Sequence, residues 1–76
     1  MVQAFIMVRT SAGKSELLVE DIESLPAVER AHVVAGDWDV IAEVETGEVY
    51  DVVHTAASSV QELDGVTDTK TYVALG

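Results

Sequence analysis

Seventy-six residues leave room for one domain, spanning 1–76, and 14 acidic against four basic side chains give it a formal net charge of −10. Nucleic acid and anionic membrane surfaces are recognised through Lys and Arg, so that balance argues against both as direct partners. Cysteine is absent, which excludes disulfides, thiolate metal sites and cysteine nucleophiles, and no apolar run approaches the roughly 20 residues of a membrane span.

Val2 to Arg9 is apolar at nearly every position and reads as a central strand rather than a targeting leader. Thr10 to Lys14 is a short polar loop. The helix that follows places Leu18, Ile22 and Leu25 on one face, turns Glu16, Glu20 and Glu23 elsewhere, and stops at Pro26. Arg30 to Ala35 is the second strand, Gly36-Asp37-Trp38-Asp39 a tight turn, and Val40 to Glu45 the returning strand of a hairpin. Thr46-Gly47 opens a second helix that is expected to bury Val49, Val52, Val53, Ala56, Val60 and Leu63. Asp64-Gly65 ends it, because glycine suits the left-handed position just past a helix. Thr67 to Leu75, rich in β-branched residues, is the last strand.

The two halves repeat with an offset of 38 residues: Leu25, Val28, Ala31, Val33 and Ala35 fall onto Leu63, Val66, Thr69, Thr71 and Val73. Val2, Ala4 and Ile6 fall onto Val40, Ala42 and Val44 in the same way. Two strand-helix-strand units predict an α+β, ferredoxin-like βαββαβ fold. Both helices are expected on one face of a four-stranded antiparallel sheet of order 4-1-3-2. A chain this short buries only about 60% of its unfolded surface. Yet 49% of its residues are hydrophobic, more than one layer of helix on sheet hides easily. Phe5 and Met7 are expected to project from the uncovered sheet face, where a second copy of the chain would cover them. A homo-oligomer follows. The carboxylate excess, with Lys14 and Lys70 the only lysines, also matches a halophilic protein whose surrounding salt screens its self-repulsion.

Three stretches carry a further likeness: A-F-I-M-V in the first strand, L-P-A-V-E-R-A-H-V-V-A-G-D-W-D across the centre, and L-D-G-V-T-D-T-K-T-Y-V-A-L at the end. As an ordered set over essentially the whole chain they resemble the effector-binding (RAM) domain of the Lrp/AsnC transcription regulators. Members usually carry an N-terminal helix-turn-helix; this chain starts at the first strand and resembles the stand-alone form. The resemblance implies a cytoplasmic, non-enzymatic sensor of a small molecule, commonly an amino acid. It further implies dimers associating in the manner of a dimeric α+β barrel, then rings of dimers with ligand sites between them, and no cofactor or metal. Mixed assembly with DNA-binding Lrp/AsnC paralogues would give such a domain its regulatory output.

Carried over residue by residue, the family's G-x-x-D turn falls on Gly36 and Asp39, with Asp37 and Trp38 between them, and its T-x-T on Thr69 and Thr71. Trp38 stands where a tyrosine or phenylalanine is common, which alters the pocket the resemblance implies. The chemistry is apt for an amino acid: Asp37 or Asp39 can accept from an ammonium group, glycine permits close approach, and Trp38 offers an apolar wall. A plain hairpin turn, with Trp38 packed across a subunit contact, accounts for the same residues. The two threonines share a strand face and could bind a carboxylate, but threonine is also an ordinary strand residue.

His32 and His54 lie 22 residues apart without a helical ligand partner and read as isolated residues, not a metal site. An acylphosphatase-like loop would need an asparagine, and the chain has none. Two alternatives remain. A dimeric α+β-barrel oxygenase-like enzyme would use His54 and Trp38 as pocket residues, and an ACT-like module would bind an amino acid on behalf of a separate enzyme or transporter.

Overall fold

The structure, a computed structural model, describes residues 1–76, the side chain of residue 57 excepted. Its elements run β1 (Val2–Thr10), α1 (Ser15–Glu23), β2 (Val28–Val33), β3 (Val40–Thr46), α2 (Val49–His54) continuing into a wider π-type turn (Thr55–Val60), and β4 (Val66–Val73). The four strands form one antiparallel sheet in the order β2-β3-β1-β4, which is the expected 4-1-3-2 counted from the other edge.

Alternation along the strands decides which face the helices cover. Ala4, Ile6 and Val8 of β1 and Val40, Ala42 and Val44 of β3 are buried, and they pair directly: Ala4 with Val44, Ile6 with Ala42, Val8 with Val40. Leu18 and Ile22 of α1 and Val52, Ala56 and Val60 of the second helix complete this core. The intervening residues Phe5, Met7 and Ile41 project to the opposite face, which no helix covers. β1 is therefore a half-covered strand within one chain, despite its apolar run.

The internal repeat is written into the backbone. In the first half the Leu25 N–H donates to the Ile22 carbonyl (3.1 Å), and the Val28 N–H donates to the Leu25 carbonyl (3.0 Å). In the second half Leu63 donates to Val60 (3.1 Å) and Val66 to Leu63 (3.2 Å), the same two bonds at the same offset. These L-x-x-V turns start both second strands earlier than propensity suggests, at Val28 rather than Arg30 and at Val66 rather than Thr67.

The second helix differs from its expectation. Val49 and Val53 are 51% and 54% exposed rather than buried, and Tyr50 beside them is 72% exposed. Among the described side chains of this helix, Val52, Thr55, Ala56 and Val60 are the buried ones, and past His54 it widens to i→i+5 bonding. The Gln61 N–H accordingly reaches the Ala56 carbonyl at 3.2 Å.

Gly65 joins this helix to β4 with φ +100°, and a Cβ there would meet Leu18 Cδ1 at 3.1 Å. Its carbonyl accepts from the Ser11 N–H at 2.8 Å, so the backbone is tied to the loop before α1 as well as turning left-handed. Gly65→Ala is expected to cost about 1–3 kcal/mol of stability, read by chemical denaturation, whereas Gly36→Ala, with nothing within 4 Å, should cost far less.

Candidate functional site

The Gly36–Asp39 turn, the C-terminal end of β1 and the start of β4 meet at one end of the sheet. The hairpin closes there because the Val34 N–H donates to the Asp39 carbonyl (2.9 Å) and the Asp39 N–H to the Val8 carbonyl (2.9 Å). Asp39 is thereby tied to β1 as well as to β2. Its side chain continues the tie, since Oδ2 accepts from the Thr10 N–H (2.8 Å) and lies 3.4 Å from the Thr10 hydroxyl. That carboxylate serves the strand end, where the β1–β4 register shifts between Arg9 and Thr10. The two candidate aspartates are therefore not equivalent. Asp37 is exposed, and among the described residues no hydrogen bond occupies its carboxylate.

Arg9, a residue sequence reasoning passed over, organises the turn. Its Nε and Nη2 both donate to the Asp37 carbonyl oxygen, at 3.2 and 2.9 Å. Its guanidinium carbon lies 4.6 Å from the centroid of the Trp38 ring, within cation–π range, and Nη1 lies 3.9 Å from Asp68 Oδ2 on β4. Trp38 is half-buried against this arginine.

Across β1 from the turn, Gln61, Val66, Thr67 and Asp68 line an open cavity of about 250 Å³. Thr69 borders it through the Gln61 Nε2–H, which donates to the Thr69 hydroxyl at 2.7 Å. Thr69 and Asp39 both adjoin Val8, one from each side of β1. Thr71 pairs with Ile6, further along β4 on the helix-covered face, and is not brought to the turn. Gln61, Arg9 and Asp68 had no signal in the sequence beyond being polar. Their convergence depends on the β1–β4 register.

The uncovered sheet face carries Phe5, Met7 and Ile41 at its centre, with Tyr72 of β4 beside Phe5. Charged residues share it, with Glu43 directly across from Phe5 and Lys70 across from Met7. His32 Nε2 and Arg30 Nε lie 2.7 and 3.8 Å from the same Glu43 oxygen, and Lys70 Nζ stands 5.8 Å from the Tyr72 ring centroid. His54 lies elsewhere, stacked on Tyr50 with ring centroids 6.4 Å apart on α2. Trp38, the other residue of the oxygenase-like alternative, lies at the hairpin turn against Arg9.

A sequence profile of the Lrp/AsnC ligand binding domain matches residues 3–76, and the chain belongs to that family. An uncharacterised HTH-type transcriptional regulator of Pyrococcus furiosus is 30% identical over 74 residues, covering 93% of this chain and 49% of the regulator. A counterpart from Pyrococcus abyssi matches to the same extent, so the chain spans about half the length of the curated relatives it matches. Among solved structures, a Thermus thermophilus protein superposes with TM-score 0.94 at 29% identity, covering all of this chain and 95% of its own. Escherichia coli AsnC superposes at 0.89 over 99% of this chain and 51% of its own, at 24% identity, a likeness of fold.

The edge of the open face holds one perturbed group. A side-chain hydrogen bond with Glu45, and then the charge of that carboxylate, hold the Glu29 carboxyl above the usual range. A raised native pKa means stabilisation that is complete below the unfolded pKa and lost as pH rises through the native one. At neutral pH the pair is thus a repulsion. Glu29→Gln should raise the melting temperature at pH 7 in low salt, with the gain shrinking below about pH 4.3 and in molar salt, as scanning calorimetry would show.

Proposed function

We propose that the chain is a small-molecule sensing domain of a transcription-regulatory system, taking an amino acid at the sheet end built by Gly36, Asp37, Trp38, Asp39 and Thr69. Membership of a ligand-binding-domain family and relatives named as transcriptional regulators support a regulatory rather than catalytic role. The observation that carries the finer reading is the turn itself. It offers an uncommitted Asp37 carboxylate to an ammonium group beside the half-buried Trp38 ring, with the Gln61–Asp68 cavity one strand away. Thr71 stands further from this site and would act only on a ligand that reaches along β4. A structural neighbour, a transcriptional regulator from Neisseria meningitidis, was solved in complex with L-methionine, in a chain sharing this fold.

On this reading two copies cover Phe5 and Met7 by packing their open sheet faces, and ligand occupancy shifts further association of the dimers. Anything that binds one assembly state better stabilises that state by mass action. The output would pass to DNA-binding relatives in the cytoplasm, and the net charge of −10 argues against direct DNA contact by this domain. The acidic surface would suit a halophilic setting. A thermal-shift screen of the twenty amino acids in molar salt tests the proposal. At least one should raise the melting temperature by several degrees and change the mass seen by light scattering; no shift with any of them contradicts amino-acid sensing.

A further inference from the structure

We propose that Arg9 is the positioning residue of the ligand turn, a latch that sets how Asp37 and Trp38 are presented. The inference rests on the reading of that turn as the ligand site. β1 alternates Gln3, Phe5, Met7, Arg9 on its uncovered face, so the apolar strip ends in a cation at the point where the turn and β4 meet. That cation is fully engaged. Two of its N–H groups fork onto one acceptor, the Asp37 carbonyl (3.2 and 2.9 Å), its guanidinium carbon lies over the Trp38 ring (4.6 Å), and its remaining nitrogen leans toward Asp68 (3.9 Å). The Thr67 hydroxyl donates to the Arg9 carbonyl at 3.1 Å, which fixes the backbone that carries the latch.

Asp37 and Trp38 share the peptide group whose carbonyl Arg9 holds. Rotation of that peptide would swing both the carboxylate assigned to the ammonium group and the ring assigned to the side chain. A binding site loses much of its affinity when its contacts are held loosely rather than in register. Lysine cannot substitute, because an ammonium group has neither the planar fork nor the flat surface for stacking. The Asp39–Thr10 bonds hold the other end of the turn, leaving the Gly36–Trp38 segment dependent on Arg9.

Trp38 is the only tryptophan, so the latch has its own optical reporter. Arg9→Met and Arg9→Lys are compared with the wild type in molar salt by acrylamide quenching and anisotropy of tryptophan emission, alongside melting temperature and the amino-acid screen. Arg9 ends the open face, outside its apolar Phe5–Met7 centre and away from the core of the chain, so both variants should keep the fold and the sedimentation behaviour of the wild type, which are measured alongside. The quenching constant is expected to rise about twofold in Arg9→Met and nearly as much in Arg9→Lys, and affinity for any amino acid that binds the wild type to fall about tenfold. Unchanged quenching and anisotropy in both variants would overturn the latch, and so would full rescue by lysine. If no amino acid shifts the wild type, the ligand reading fails on its own, and the tryptophan measurements still decide whether Arg9 holds the turn.

Discussion

A four-stranded sheet with two helices on one side has one dry face and one bare face, and that asymmetry governs the rest of this molecule. The dry face is built from residues that alternate with those of the bare one. Burial of Ala4, Ile6 and Val8 therefore obliges Phe5 and Met7 to point the other way. Phe5 and Met7 are half-buried in one chain, so covering each adds a fraction of the roughly 1.5–3 kcal/mol of full burial, still a useful increment for a domain with so few core residues. The bare face is thus both the weakest feature of a lone subunit and the strongest argument for a second one. Glu43, the carboxylate opposite Phe5 beside its apolar centre, is paired with Arg30 and His32 of the edge strand β2.

The end of the same sheet provides the chemistry. Two aspartates two residues apart are given different tasks by the strand they border. Asp39 closes the hairpin and caps Thr10, while Asp37 gives up its carbonyl to Arg9 and keeps its carboxylate exposed. The proposed ligand site would use both kinds of residue, one to hold the backbone and one to meet the ligand.

Much of the fold was legible because the repeat and the alternation are strong and local. The strand order, the core of β1 and β3 and both L-x-x-V turns follow from spacing alone. The second helix was harder to read. Val49, Val52, Val53 and Ala56 fit a continuous apolar stripe, but the helix widens after His54 and rests on its Val52–Ala56–Val60 line, leaving Val49 and Val53 outward. The candidate site was legible as a turn at Gly36–Asp39, since glycine and aspartate between two strands declare a hairpin. It was not legible at Arg9, Gln61 and Asp68, whose meeting depends on pairing between residues 50 or more apart, or on the path of the chain after the helix. A cation at a strand end looks like a solubilising residue until the neighbouring strand is placed.

The most direct test of the account is whether the bare sheet face is shared. Sedimentation of the wild type and of Met7→Asp at low micromolar concentration in molar salt would decide it. A shared face gives a dimer or larger assembly for the wild type and a folded monomer for the variant. A wild type that sediments as a monomer while its melting temperature and circular dichroism remain those of a stable fold would contradict it.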